Sequence, residues 1–387
     1  MNILWDAVGI RGHGGASLLR ELLDSCASAR PTWRWQVFLL PRKSREFDLS
    51  PRKTNIRVYE VGYANSPALR LFWINNDLRN RCKKLSSDVV FSFANFAPLR
   101  QGLPSVLYCH QPNAFFDIGN RGRSLPERLR MRMNRELTLA GAPKCRAVVV
   151  QTSAMKAAMT ALRPQIEQKV HVVPGGFSRH LCSADCFYSE LPHAPAATGP
   201  FLIYVAHPSE HKNHETLLKA MTYVIGEYPS ASLLLTVDPG KAENSRYTTL
   251  VARMRKTVDE LKLTKHVHYL GILTPSQVAC ALKHSHLSVF PSLSESFGLP
   301  LVESLAAGCP LAVSDLPFAR EIAGDAAEYF DPLCARSIAA SILRLLGSES
   351  LRLRLAAAAK ARSYRFCYED IAQKLCAILE GSCERAC

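Results

Sequence analysis

The residues best equipped for chemistry lie in two stretches of the second half of the chain. In HLSVFPSLSESFGLPLVESLAAGCPLAVSD (286–315) an apolar run, Leu287–Pro291, ends in a polar loop carrying Glu295. Gly298 and Pro300 then open a helix with Glu303 one turn inside it. Both acids can point at one crevice at the carboxyl end of a strand, where open α/β sheets bind ligands. Carboxylates accept hydrogen bonds from sugar hydroxyls, the amides of Phe297, Gly298 and Leu299 at a helix N-terminus suit phosphate, and Gly298 permits close backbone approach. An N-cap acid followed by an exposed helical Glu has the same spacing, so the pair alone does not choose between ligand and solvent. In FLIYVAHPSEHKNHETLLKA (201–220) a strand ends at Ala206 and Lys212 stands at a helix start. An ammonium there can neutralise a diphosphate leaving group, although a lone Lys at a helix start is more simply a solvated cation.

In the first half, VGIRGHGGASLLREL (8–22) runs from a strand through a Gly-rich loop into a helix. Its order, G-x-x-G-x-G-G, is not the dinucleotide fingerprint G-x-G-x-x-G, and no acid closes a second strand at the required distance. A nicotinamide or flavin site is therefore not expected. His110 falls at the carboxyl end of the run Val106–His110, where a satisfied structural His is the plainer reading.

The whole of 286–332, E-x7-E with S-F-G-L-P inside it and then AAGCPLAVSD and LPFAREIAGDAAEYFDP, resembles the donor domain of retaining glycosyltransferases of family 4 (glycosyl transferases group 1). That resemblance implies the GT-B fold: two Rossmann-like parallel-sheet domains facing across a cleft, with a C-terminal helix crossing back to the N-terminal domain. It also implies roles. Glu295 contacts donor sugar hydroxyls, Glu303 holds the ribose, and the backbone of Phe297, Gly298 and Leu299 faces sugar and phosphates. Lys212 matches the family's phosphate-binding Lys. Gly14 and Gly15 match a pair that brings backbone against donor phosphates and acceptor, and His110 matches a His near the reacting anomeric centre. Asn113, Phe115, Phe116 and Asp117 are then acceptor-pocket candidates, and Gly271–Ile272 lies near the base. One departure stands out: many members carry Arg five residues before the Lys, and this chain has His207. A His there donates less charge, so a nearby basic residue must assist or the leaving group is held less well. No carboxylate pair identifies a nucleophile, so the front-face route proposed for the family is favoured over double displacement. No cofactor and no metal are expected; the nucleotide sugar is a co-substrate.

The elements that must position these groups follow from apolar patterning. With 387 residues, at roughly 150 per domain, two domains are expected. Short β-branched runs alternate with amphipathic segments twice over, which is α/β architecture. Strands are expected at Asn2–Val8, Trp35–Leu40, Ile56–Val61, Val89–Phe93, Val106–His110, Ala147–Gln151 and Val170–Val173, and then at Phe201–Ala206, Ser232–Val237, Val267–Leu270, Leu287–Pro291 and Leu311–Ser314. Helices are expected at Ala16–Ala29, Pro67–Leu85, Pro126–Ala140, Ser153–Leu162, His214–Tyr228, Ser245–Leu261 and Leu299–Ala307, with a long helical region over Ser337–Ala361. The Pro-rich stretch Cys182–Pro200 reads as the linker. Domain 1 (1–182) is expected to hold acceptor and domain 2 (199–365) the nucleotide sugar. Periodicity assigns the last amphipathic stretch, Phe366–Leu379, to neither domain; by the resemblance, a helix over about 366–382 returns to the first.

Apolar residues make up 48% and charged residues 21%, which excludes a disordered or collagen-like chain. No apolar run approaches a membrane span and the start lacks a signal-peptide pattern, so a cytoplasmic protein is expected. Thirteen cysteines, never in paired C-x2-C units, read as reduced thiols. Residues 1–180 carry 28 Lys and Arg against 12 Asp and Glu, whereas 181–387 carry 20 against 21, so the whole excess of +15 comes from the first half. Within it, RNRCKK (79–84) and RGRSLPERLRMRMNR (121–135) are the densest runs, and Arg128, Arg130, Arg132 and Arg135 alternating with Leu129, Met131 and Met133 read as a basic amphipathic helix. Such a helix suits the anionic inner face of a membrane, or is simply a solvated face. Nucleic acid is not an expected partner, because no binding motif accompanies the charge. The expected function is transfer of a sugar from a nucleotide-diphosphate donor to a saccharide acceptor, lipid-linked, in cell-surface polysaccharide (lipopolysaccharide-type) biosynthesis. The rivals are a phosphorylase-like enzyme of the same fold and a basic nucleic-acid-binding protein.

Overall fold

The structure, a computed structural model, describes residues 1–10, 13–41, 53–93, 95–99, 104–117, 123–177, 188, 191–193, 195, 199–240 and 245–384. Most of the expected linker lies outside them, as do Cys182, Cys186, Cys387 and positions 121 and 122 of the second basic run. By contact the chain forms two compact units. One comprises Met1–Phe115, Ser124–Gly176 and Phe366–Cys387; the other comprises Phe116–Arg123 and Phe177–Arg365.

The first unit is built on a parallel sheet of β1 (Asn2–Asp6), β2 (Arg34–Leu39), β3 (Ile56–Glu60), β4 (Val89–Ser92), β5 (Ser105–Cys109), β6 (Ala147–Val150) and β7 (Val170–Val172), in the order β3-β2-β1-β4-β5-β6-β7. The runs are apolar along their length because helices cover both faces; β4, β5 and β6 are buried at every residue. Trp5, Trp35, Phe91 and Phe93 fill the centre, with Trp5 edge-on to Phe91 at 4.7 Å. The second unit holds β8 (Phe201–Tyr204), β9 (Ser232–Leu235), β10 (Val267–Tyr269), β11 (Leu287–Phe290), β12 (Leu311–Ser314) and β13 (Glu328–Phe330), all parallel, in the order β10-β9-β8-β11-β12-β13. In each sheet the winding reverses once, between β1 and β4 and between β8 and β11, and a crevice opens at such a reversal outside the carboxyl ends of the strands. The loops that follow those four strands are therefore the ones to search.

Three expectations need correction. The helical region over Ser337–Ala361 is two helices, Ala335–Gly347 and Glu349–Ser363, parted at Ser348, whose hydroxyl accepts from the Leu351 amide at 3.3 Å. The segment Pro67–Leu85 is not one regular helix: a π-helical turn, Trp73–Asp77, separates Pro67–Phe72 from Leu78–Lys84. The edge strand β13 was not anticipated, because three residues, two half-buried and one buried, carry too little pattern.

The last helix, Tyr368–Glu384, buries Ile371, Ala372, Leu375, Cys376 and Leu379, a stripe at helical spacing. It belongs to the first unit and packs on His13–Ala29, the helix that follows β1. Arg30, just beyond that helix, donates to Glu380 at 3.2 Å and to Gln373 at 2.7 Å. Gly176 is required where the chain passes this contact, since a Cβ there would stand 2.8 Å from the Phe366 carbonyl oxygen and from Ile371 Cδ1.

Candidate functional site

At the reversal in the second sheet, β8 leads through 205–213 into the helix His214–Glu227. That loop is held from below. The buried Tyr204 hydroxyl donates to the Lys212 carbonyl at 2.8 Å and lies 3.0 Å from Ser292 Oγ, while the Leu293 amide donates to the His211 carbonyl at 2.7 Å. Asn213 adopts φ +59°, which a short polar side chain tolerates. Its amide donates to the carbonyls of Pro291 at 3.1 Å and Pro332 at 2.7 Å, tying the loop to the ends of β11 and β13.

These ties bring Lys212 to Glu295. The ammonium lies 2.5 Å from the carboxylate, with Lys212 14% and Glu295 11% exposed, and 5.7 Å from the centre of the Phe290 ring. Charges so little hydrated persist only when paired, and removing one partner of such a pair costs up to about 3–5 kcal/mol. The two residues are 83 positions apart in sequence, and the adjacency of β8 and β11 is what joins them.

After Glu295 the chain enters the helix Leu299–Ala307 through Gly298, at φ +90°. A Cβ there would press on Phe290 at 3.4 Å and in a conformation L-residues avoid, so the position requires glycine. Phe297 is buried. Leu299 and Pro300 open the helix. Glu303, half-buried one turn in, lines a small pocket with Phe177, Pro275, Val278, Ala279, Lys283, Ala306 and Ala307. Burial pushes its carboxyl up to about 7.

Three histidines lie on this loop or at the start of the helix that follows it. His207 is exposed, with its ring 4.9 Å from that of Tyr247 on the helix Ser245–Glu260. His214 is buried against Tyr204, and burial together with Lys212 drives its imidazole down to about 3, so it is neutral. His211 is held well below the usual imidazole range, first by burial and then by the charges of Lys212, Arg123 and Arg246. Motif reading passed over His211, His214, Arg123 and Arg246; the run H-x3-H-K-N-H was the available signal for the first two.

In the first unit, Gly14 and Gly15 occupy the first turn of His13–Ala29. A Cβ at Gly14 would meet nothing within 4 Å and one at Gly15 only Ile10 Cγ2 at 3.5 Å, so packing does not demand glycine at either position. His110 follows β5; its amide donates to Asn95 Oδ1 at 2.7 Å and its ring stands 5.4 Å from Phe93. Burial, reinforced by Arg70, lowers the imidazole to about 4, and Nδ1 has no hydrogen-bond partner among the described residues. Asn113 lies in the short turn Pro112–Ala114, followed by Phe115, whereas Phe116 and the exposed Asp117 fall with the second unit by contact. Sequence reading missed two groups here. Asp6, fully buried at the end of β1, accepts from Trp73 Nε1 at 3.1 Å and from the Val8 amide at 3.3 Å, and burial raises its carboxyl. The Arg70 guanidinium fills the space where Gly9 would carry a Cβ. Among the described residues no group of three His, Cys, Asp or Glu side chains converges as metal ligands.

A family model described as "Glycosyl transferases group 1" matches residues 192–362, and one described as "Glycosyltransferase Family 4" matches 22–180. The chain belongs to the group 1 glycosyl transferases. Among curated members it is 25% identical over 218 residues to the mannosylfructose-phosphate synthase of Agrobacterium fabrum, covering 55% of this chain and 48% of that protein. It is 27% identical over 172 residues to the phosphatidyl-myo-inositol mannosyltransferase of Mycolicibacterium smegmatis, covering 44% and 42%. The match thus spans about half the length of these relatives or less. The solved structure of Anabaena HepE in complex with UDP-glucose superposes with a TM-score of 0.74 at 17% identity, covering 98% of this group 1 chain and all of the other, which shows the GT-B fold in common.

Proposed function

We propose that this group 1 chain is a retaining glycosyltransferase that moves a sugar from a nucleotide-diphosphate donor, bound by the second unit, to a lipid-linked saccharide in cell-surface polysaccharide assembly. The observation that carries the reading is the Lys212–Glu295 pair at the sheet reversal, beside a helix that opens at Gly298. The Lys212 ammonium takes the charge that grows on the diphosphate as its bond to the anomeric carbon breaks, and Glu295 holds that ammonium in place and accepts from donor hydroxyls. Glu303 accepts from the ribose. His110, neutral, donates or accepts at the reacting sugar without adding charge. His207 takes the place of the family's usual Arg. The complex of HepE with UDP-glucose and the lipid named in the mycobacterial mannosyltransferase support the donor and acceptor classes. The product linkage, assigned by NMR against the donor's anomer, is expected to keep its configuration; an inverted product ends this reading.

The acceptor side draws support from the helix Leu125–Gly141, opened by a capping box between Ser124 and Glu127. Met131 faces inward, contrary to its expected place on the outer apolar stripe. The outer stripe is Leu125, Leu129 and Met133, which are 68%, 57% and 52% exposed, with Arg128, Arg130 and Arg132 exposed around them. Apolar side chains ringed by guanidinium groups suit a shallow seat on an anionic membrane. Among the described residues no helix is long and apolar enough to cross one.

Glu303 sets a pH dependence. With its carboxyl pushed up to about 7, it is mostly neutral at pH 6 and mostly ionised at pH 8. Ribose hydroxyls bind the ionised form, so nucleotide affinity falls as pH falls, by about tenfold between pH 8 and pH 6. Isothermal titration at both values checks this. Glu303→Gln is expected to flatten the response to whatever the nucleotide phosphates contribute by themselves, and an unchanged slope removes Glu303 from the ribose.

A further inference from the structure

The charge balance of the donor site is incomplete as the motifs describe it. A nucleoside diphosphate brings two or more negative charges, yet the ammonium of Lys212 is already matched by Glu295 at 2.5 Å. The pair together adds no net charge. His207 turns its ring to Tyr247, and the buried His214 is neutral. Apart from the amides where the helix opens at Gly298, a further cation has to come from another element.

The helix Ser245–Glu260 is docked along this loop at two points. Near its middle Arg253 donates to Glu210 at 2.7 Å and is also ion-paired with Glu215. At its near end Tyr247 meets His207 and exchanges hydrogen bonds with the backbone of Asp238 at the end of β9, at 3.1 and 2.8 Å. Arg246 is seven residues before Arg253, two turns along the same helical face. Next to Tyr247, it stands at the end of the helix that meets His207. Arg246 and Arg123 both act electrostatically on His211, the residue immediately before Lys212.

We propose that Arg246 is a donor-binding residue, its guanidinium gripping the diphosphate beside Lys212 with Arg123 as a second cation, so that the charge His207 does not supply arrives from the helix Ser245–Glu260. This rests on the donor reading above. A guanidinium offers two parallel donors to phosphate oxygens, which a solvated ammonium does not.

The test measures dissociation constants for ADP, GDP, UDP and TDP with the full chain, then for the nucleoside and monophosphate of whichever diphosphate binds most tightly. Arg246→Gln is expected to weaken the diphosphate by on the order of tenfold or more and leave the nucleoside unchanged, so that the gain from nucleoside to diphosphate shrinks. Arg246→Lys recovers part of the loss, and Arg255→Gln, an exposed change on the same helix, leaves all three ligands unaffected. A cooperative melt of each variant separates binding from folding. A wild type that binds a diphosphate and an Arg246→Gln that binds it equally well overturns this inference alone. Equal losses for nucleoside, monophosphate and diphosphate also overturn it, since they mark a structural role. If the wild type binds no diphosphate, the donor reading falls first and this inference with it.

Discussion

Lys212→Met is expected to lower the rate of sugar transfer by on the order of a hundredfold or more, and Glu295→Gln by at least about tenfold. The first figure follows from the loss of one preorganised charge contact at a developing charge, about 2.7–4 kcal/mol in other enzymes. The second reflects an ammonium that is still present but no longer held at 2.5 Å. Because each side chain is the other's partner, the losses are not additive: the double variant is expected to be little worse than Lys212→Met alone. Lys212→Met is also expected to melt earlier, since it strands a carboxylate that is only 11% exposed, whereas the double variant regains part of that stability. Single-turnover rates and melting curves on the four proteins check both halves. Wild-type transfer rates in both single variants would remove this crevice from the reaction.

Changing Arg128, Arg130, Arg132 and Arg135 together to Glu is expected to abolish cosedimentation with anionic vesicles. Each cation near an anionic bilayer contributes about 1 kcal/mol, and reversal turns attraction into repulsion at four positions of one helix. Binding of the unaltered protein is expected to weaken between 0.1 M and 1 M salt, as the Debye length contracts from about 10 Å to about 3 Å. Leu125, Leu129 and Met133 leave a smaller, salt-resistant remainder. Equal sedimentation with neutral and anionic vesicles, or no effect of the fourfold change, removes the membrane from the acceptor reading.

Much of the scaffold was legible because a parallel sheet covered on both faces writes itself as short apolar runs, and residues such as Ala147–Val150 and Leu311–Ser314 have no other reading. The features that failed are those whose signal is not local. Nothing between positions 212 and 295 announces that β8 and β11 are neighbours, yet that adjacency makes the ion pair. Arg246 looks like any charged residue in the first turn of an amphipathic helix until the Arg253 contacts fix which face meets the loop. Asp6 sits in an apolar strand and would be read as a flaw in the pattern, whereas it accepts from the Trp73 indole of the π-helical turn. The parting at Ser348 hides for the opposite reason: two amphipathic helices in tandem with a single residue between them look like one.

The return of Tyr368–Glu384 to the first unit has a consequence for synthesis on the ribosome. The helix His13–Ala29 emerges early, but the partner that covers its face around Cys26 is not made until all of 177–365 has been translated. At about 5–20 residues per second that interval is on the order of 10–40 s. The second unit is nearly continuous in sequence and can close in that time, while the first waits with an uncovered apolar face. Nascent chains arrested before position 366 should therefore recruit holdase chaperones through their N-terminal region, and full-length chains should release them.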